Sequence, residues 1–447
     1  MKNNLKSLTI LLYKLVVYYL LYTVFFQMFE LHNVGLQYVS RTTVITTMTF
    51  AVILVLMVFV YGNFSIGKQK SKPIIFSTTI AVVLTDIVTY IQLMVMNTNP
   101  HNNQTFRIEQ LDILLYVILM QVIIISIAAY VGNWLYFKLY TAEHVLIVKS
   151  YESDDDTLRK IHRYLSNYKL QYRVVDVIDY SKINSFNFSD IDRVVCVGIH
   201  NEERSFLTDF CYKNGISISF TPEITDVVEL AGEQVVYDDI PLIVVESKGL
   251  SFEQKFFKRI LDLICSILGL ILSSPIWIIA GIAIKLNDGG KIFFRQERYT
   301  ENGKVFKVFK FRTMKENVEN YSSTENDDRI TAVGKVLRKT RMDELPQILN
   351  IIKGDMSMVG PRPEMLENVH QYESDLPQFR YRLKVKAGLT GIAQIEGKYN
   401  TTPKDKLIMD LMYIENYSIW MDIKLILRTA TVLVKKESTE GFNTESK

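Results

Sequence analysis

Four apolar stretches in the first third of the chain constrain its fold more than any other feature. They cover about residues 8–28, 44–61, 74–96 and 114–137, each close to the roughly 20 residues an α-helix needs to cross a bilayer. They read as nearly free of charge and carry none of the buried acids of a translocation path. Lys14 lies near an end, where it can snorkel to the interface. The chain is 48% hydrophobic and 22% charged, so its apolar residues have to be gathered into such blocks. No small-residue cleavage site follows the first block, which therefore reads as a retained span. Lys2, Lys6, Lys68, Lys70, Lys72 and Lys138 share one side, against Arg41 and Arg107 on the other. Since the basic side stays in the cytoplasm, residues 1–140 form a bundle of four spans with both ends cytoplasmic. A net charge of +3 over 447 residues leaves no electrostatic footprint for nucleic acid. Cys196, Cys211 and Cys265 have neither metal nor redox spacing.

Residues 141–247 change character. Strands are predicted at 144–148, 172–177 and 193–199, with helices at 157–170 and about 202–214. That order predicts a cytosolic parallel α/β, Rossmann-like domain. A dinucleotide site would place glycines directly after the first strand. Here that position holds Asp154-Asp155-Asp156, which would repel a pyrophosphate, so a structural or regulatory role fits better.

A fifth apolar block, residues 263–283, is long enough to span. Its flanks are basic on both sides: Lys255, Lys258 and Arg259 before it, Lys285, Lys291, Arg295 and Arg298 after it. A simple span would put one of these clusters outside. Ser273-Ser274-Pro275 lies at its centre. Pro275 interrupts the helical ladder, and the serine hydroxyls can satisfy backbone groups so released. A re-entrant helix over 258–285, broken at Ser274 and Pro275 and returning to the same face, reconciles the charges with the length.

Beyond it lie the groups that carry chemistry. Asp343 and Glu344 are adjacent, at the expected start of a helix whose buried face is Leu345, Ile348, Leu349 and Ile352. Pro346 suits the first turn and Gly354 the stop. Helix starts favour carboxylates and phosphates. Lys310 and Arg312 leave one face of a strand predicted at 305–312, and Arg338, Arg341 and Arg362 lie close in sequence. Cations facing two carboxylates, with room for magnesium between carboxylates and phosphates, form an inventory for phosphoryl transfer. Asp355 is a weaker candidate. Trp420, Ile423, Leu427, Ala430 and Val434 recur at helical spacing, with Lys424, Arg428, Lys435 and Lys436 nearby. They predict a helix lying in the interface or packed on the catalytic core. Residues 437–447 are polar and read as a disordered tail.

Phe309-Lys310-Phe311-Arg312-Thr313-Met314, Leu337-Arg338, Asp343-Glu344-Leu345-Pro346-Gln347, Gly354-Asp355-Met356-Ser357, Gly360-Pro361-Arg362-Pro363 and Gly388-Leu389-Thr390-Gly391 follow one another in this order. Together, over about residues 251–436, they resemble the bacterial sugar transferase family, the polyprenyl-phosphate hexose-1-phosphate transferases of capsule and exopolysaccharide synthesis. The resemblance implies an α/β monotopic phosphoglycosyl transferase domain with a re-entrant membrane helix, on the cytoplasmic face of the bacterial inner membrane. It implies transfer of hexose-1-phosphate from a UDP-hexose, glucose or galactose first, to undecaprenyl phosphate, with release of UMP. Asp343 would attack the sugar-bearing phosphate and form an aspartyl-phosphosugar. Glu344 would hold Mg2+, and Lys310, Arg312, Arg338 and Arg362 would neutralise phosphates. The partners implied are the UDP-sugar, undecaprenyl phosphate and the lipid bilayer, with a homo-oligomer or polysaccharide-assembly proteins left open. Ala387 stands where the family usually has proline, and Gln394-Ile395-Glu396-Gly397-Lys398 replaces a common Gln-Val-Asn-Gly-Arg, which leaves the sugar open. Direct displacement with Asp343 as a base, or a transporter or assembly subunit, are the competing readings. With the native cysteines replaced, Lys291→Cys should react with a membrane-impermeant maleimide from the cytoplasmic side. Reaction from the outside alone would make the fifth block a simple span.

Overall fold

A computed structural model describes residues 2–62, 64–97, 106–150, 154–246, 249–315, 328–397 and 401–434. Lys398, Lys435, Lys436 and the 437–447 tail lie outside these, as do the side chains of Ala430 and Val434. The chain divides into two compact units, residues 1–221 and 222–447.

The first unit opens with α1 (Lys2–Glu30), α2 (Arg41–Tyr61), α3 (Ser71–Asn97) and α4 (Leu111–Leu139). All four are long and apolar enough to cross a membrane. They outrun the apolar blocks because their polar ends continue the helix. Phe25, Phe29, Phe50, Leu93 and Ile125 pack in the bundle core. One reading of the sequence needs correction, because the third block does contain an acid. Asp86 of α3 is fully buried, and its carboxylate accepts a hydrogen bond from Gln121 of α4 at 3.3 Å. Helical periodicity turns this acidic residue inward, beside buried Thr85 and Thr89 of the same helix, onto a polar partner.

The rest of the unit is β1 (Glu143–Lys149), α5 (Asp155–Asn167), β2 (Tyr172–Asp179), β3 (Arg193–Val197), α6 (Asn201–Asn214) and β4 (Ser217–Phe220). The strands form one parallel sheet in the order β2-β1-β3-β4. Val145, Leu146, Ile147 and Val148 are buried without alternation, as in a strand covered on both faces. Asp154 caps α5, accepting from the amides of Asp156 and Thr157. The acidic run thus occupies the helix N–H groups that a phosphate would require.

The second unit runs through α7 (Ile224–Leu230), the hairpin β5 (Glu233–Tyr237) and β6 (Ile240–Val244), and the 37-residue α8 (Phe252–Asp288). Then come β7 (Phe293–Tyr299), β8 (Val305–Phe311), α9 (Ala332–Lys339), α10 (Gln347–Lys353), β9 (Ser357–Val359), α11 (Leu366–Asp375), β10 (Gly388–Thr390), α12 (Ile392–Glu396), α13 (Pro403–Glu415) and α14 (Ile419–Val434). β7 and β8 pair antiparallel, and β9 and β10 pair parallel.

α8 keeps helical conformation through Pro275, so the expected break is not an interruption of the helix. The serine next to the proline explains how. Proline removes the N–H that would bond Ile271 O, and Ser274 Oγ donates to that same carbonyl at 2.8 Å. Ser273 Oγ accepts from Trp277 Nε1 at 3.0 Å. The cations expected as topological flanks are partly internal struts. Lys258 is buried, with Nζ 2.7 Å from Asp422 of α14, 2.8 Å from Tyr413 Oη and 2.9 Å from Val359 O. Arg259 caps the C-terminal end of α10, donating to Ile351 O and Ile352 O at 2.6 and 2.7 Å. Among the described side chains of α14, Asp422 and Leu425 are buried. The expected stripe is offset from them, and Trp420 is exposed, because Asp422 has to face Lys258.

Losing one member of a buried ion pair costs about 3–5 kcal/mol. Lys258→Met should lower the melting temperature of the solubilised protein sharply, and the double variant Lys258→Met/Asp422→Leu should recover part of the loss.

Candidate active site

The site is a meeting of three chain segments. β8 supplies Lys310. Its outer edge is held by Asn350 of α10, whose Oδ1 accepts from Phe309 N at 2.9 Å and whose Nδ2 donates to Lys307 O at 2.8 Å. A fully buried asparagine thus stands in for a neighbouring strand. The second segment is a single 3-10 turn, Met342–Glu344, between α9 and α10. Arg341 enters it in the left-handed region, φ 54°. The dyad therefore lies in a turn of its own rather than at the helix start, and Pro346 is the N-cap of α10. The residues buried on α10 are Gln347, Ile348, Asn350 and Ile351; of the face expected only Ile348 is among them, since Leu345, Leu349 and Ile352 are half-buried. Gly354 does end the helix, at φ 92°.

The third segment is the loop Gly360-Pro361-Arg362-Pro363. It lies against the Gly388-Leu389-Thr390-Gly391 segment through the β9–β10 pair. A Cβ on Gly388 would meet Gly360 N at 2.0 Å, so only glycine lets these two backbones approach.

Glu344 is where the segments join. Its Oε1 accepts from Lys310 Nζ and from an Arg362 NH2 group, each at 2.7 Å. Burial opposes its ionisation, but the charges and hydrogen bonds of Arg362 and Lys310 outweigh that, and the carboxyl is held below the ordinary range. Asp343 behaves oppositely. Among the described residues its carboxylate makes no hydrogen bond or ion pair. Burial pushes its pKa up, opposed by Lys310, Arg338 and Arg362 and reinforced by the charge of Glu344. Two adjacent carboxylates thus differ in kind: one is neutralised by clamps, and the other has no direct partner among the described residues.

The remaining expected residues separate. Arg338 Nε donates to Thr313 Oγ1 at 2.9 Å, and its charge is felt at Asp343. Arg312 is buried with its guanidinium against Gly290, away from the contacts of either carboxylate. It follows β8 just where the strand ends. Asp355 pairs with Lys353 at 3.8 Å. Ser274 and Pro275 act within α8. Cations whose roles the sequence does not disclose also surround the site. Half-buried Arg341 has its pKa lowered by burial and feels both dyad carboxylates. Arg298, pushed down to about 10 mainly by burial, donates to Pro363 O at 3.3 Å. Arg382 and Asp410 lie buried behind the loop. Their types announce nothing, since Arg382 looks like one charge in the basic run Arg380, Arg382, Lys384.

The geometry is accompanied by a match to known proteins. Residues 253–436 match the family model described as bacterial sugar transferase. A UDP-glucose:undecaprenyl-phosphate glucose-1-phosphate transferase of Caulobacter vibrioides is 36% identical over 189 residues, 40% of this chain and 71% of that protein. The chain belongs to the bacterial sugar transferase family. A Klebsiella pneumoniae relative of the same description is 37% identical over 262 residues, covering 55% of each chain. A Salmonella typhimurium undecaprenyl-phosphate galactose phosphotransferase is 33% identical over 217 residues, 44% of this chain and 45% of that one. Apart from the Caulobacter protein, the chain spans about half the length of these curated relatives.

The donor set can be compared with what a magnesium ion needs. Among the described residues no three His, Cys, Asp or Glu side chains form a cage. One or two carboxylates with substrate phosphates are an ordinary magnesium site, and the dyad fits that kind. Among the described residues Asp343 makes no ion pair, and Glu344 engages Oε1 alone.

Because the folded pKa of Glu344 lies below its ordinary value of about 4.3, its stabilisation is present above that pH and is lost as pH falls through the folded pKa. Glu344→Gln should cost on the order of 2 kcal/mol at pH 7, the scale of a hydrogen bond to a charged group. The gap from wild type should narrow in acid, as thermal melts across pH would reveal.

Proposed function

We propose that this protein transfers hexose-1-phosphate from a UDP-hexose to undecaprenyl phosphate through a covalent intermediate on Asp343. The observation that carries this reading is the contrast within the dyad, an unpaired carboxylate beside one locked between Lys310 and Arg362. In the first step a carboxylate oxygen of Asp343 bonds to the sugar-bearing phosphorus. The bond from that phosphorus to the UMP oxygen breaks, and UMP leaves with the electron pair. In the second step an oxygen of undecaprenyl phosphate attacks the same phosphorus and expels the carboxylate. One phosphoanhydride replaces another. Splitting the transfer in two lowers each barrier, and the work left to the protein is positioning and neutralising charge.

Lys310, Arg338 and Arg362 would hold phosphate oxygens, and Arg forks suit that geometry. Glu344, with Asp343 beside it, would hold Mg2+, whose positive charge offsets that of the diphosphate. The same clamps counter the burial that raises the pKa of Asp343, favouring the ionised nucleophile. Glucose and galactose are the sugars favoured, the two that name the Caulobacter, Klebsiella and Salmonella relatives.

We also read residues 1–140 as four spans, the parallel sheet as part of a cytosolic Rossmann-like domain, and α8 as re-entrant at the cytoplasmic face of the inner membrane. Packing supports the last of these. Lys258 and Asp262 near one end of α8 join β9, and Ala280 and Ile284 near the other pack on Phe311 and Leu337. Both ends thus belong to one lobe, while Ile271, Leu272, Ile278 and Ile279 remain exposed for lipid.

Purified protein mixed with donor alone should release UMP at one equivalent per active site, and Asp343→Asn should release none while melting normally. Direct displacement would give no release without acceptor. The rate of this burst should rise with pH through a point above the ordinary aspartate value of about 3.9.

A further inference from the structure

The Gly360-Pro361-Arg362-Pro363 loop has two prolines and so lacks two of the N–H groups that usually anchor a loop. Gly360 N still donates to Thr390 O at 2.9 Å, and all four carbonyls of the loop receive a donor. Gly360 O accepts from Gln394 Nε2 at 3.3 Å, and Pro361 O from Gly388 N at 2.9 Å. Arg362 O accepts from an Arg382 NH2 group at 2.8 Å, and Pro363 O from Arg298 at 3.3 Å. Of these donors, Arg382 holds the residue that carries the Glu344 clamp. Its side chain is 4% exposed and lies 2.8 Å from the Asp410 carboxylate of α13, which is 2% exposed. Its guanidinium also stacks over Phe379, 4.7 Å from the ring centroid. Two buried charges paired in this way form a rigid strut behind the loop.

We propose that Arg382, braced by Asp410, is a positioning residue that sets Arg362 against Glu344 and hence against the phosphates of the donor. This rests on the activity proposed above. The strut acts through backbone: Arg382 fixes the Arg362 carbonyl, and the Arg362 side chain then reaches Glu344 from a fixed origin. The other charged groups facing it are Glu364, 4.0 Å from Arg382, and Lys406, 3.4 Å from Glu364, with Arg298 on the far side of the loop. Burial pushes the Asp410 carboxyl up to about 6 despite the opposing charge of Arg382. A raised carboxylate pKa means that acid favours the folded state at this position, so acidification below about pH 6 neutralises Asp410 and removes the charge that braces Arg382.

The test uses the full-length solubilised protein. Misplacing a reacting group by about 1 Å can cost about 100-fold. Arg382→Gln should therefore lower kcat for UMP release by about 10- to 100-fold and leave KM for the UDP-sugar within about threefold. In an Arg362→Ala background the same change should have almost no further effect. Asp410→Asn should flatten the part of the pH–rate profile near pH 6. Hydrogen–deuterium exchange supplies an arm independent of turnover: amides of residues 360–364 should exchange faster in Arg382→Gln and Asp410→Asn. If Arg382→Gln does not fold, Arg382→Lys replaces it in every arm and should give the same pattern, since the shorter lysine lacks the planar fork with which the guanidinium reaches Arg362 O. Additive losses in the double variant, or unchanged exchange over 360–364, would overturn the proposal. Wild-type protein that releases no UMP from any UDP-sugar would instead overturn the activity, with the exchange arm still deciding on the strut.

Discussion

One carboxylate oxygen organises the catalytic unit. Glu344 Oε1 accepts from Lys310 on β8 and from Arg362 on the proline-bracketed loop. Each of those cations would carry a desolvation penalty alone. Around a shared anion they offset one another, and the pairing brings together segments separated by 34 and 18 residues in sequence. The interaction also sets Asp343 apart within the dyad. Its neighbour is neutralised by direct contacts, whereas Asp343 feels the same cations only at longer range.

The supporting structure follows the same logic of polar groups answered inside the protein. Asn350 completes the backbone bonding of β8, so the strand that bears Lys310 is not a loose edge. Lys258, Tyr413 and Asp422 join α8, α13 and α14 at one buried point, with Val359 of β9 as a further acceptor. Arg259 answers the open carbonyls at the end of α10. Each device satisfies a group that apolar packing would strand. Polar residues can therefore anchor a long apolar helix whose middle remains exposed.

The family match brings the proposed chemistry and this scaffold together. A phosphoryl group passed between two phosphate partners needs little covalent machinery beyond an acceptor, but it needs cations at fixed distances. Rigid loops held by their carbonyls serve that need. In such a loop, identity of backbone placement matters as much as identity of side chain, which is why Gly360 and Gly388 meet without room for a Cβ.

The sequence by itself determined the long apolar helices, the parallel strands of the first unit, the strand bearing Lys310 and the stop at Gly354. All of these rest on periodicity or on backbone chemistry read within a few residues. It also singled out Asp343, Glu344, Lys310, Arg312, Arg338 and Arg362 as candidates, of which Glu344, Lys310 and Arg362 meet directly. Which cation meets which carboxylate was decided only in three dimensions, because one guanidinium on paper is like another. Arg338 and Arg312, so similar in sequence, end on Thr313 and against Gly290. Lys258 and Arg259 read as membrane flanks and became internal braces, and Asp86 went unremarked in an apolar block until helix packing gave it Gln121. Local pattern specifies an element and its buried face. A charge acquires its role from the partner that folding places within 3 Å, and that partner lies far away along the chain.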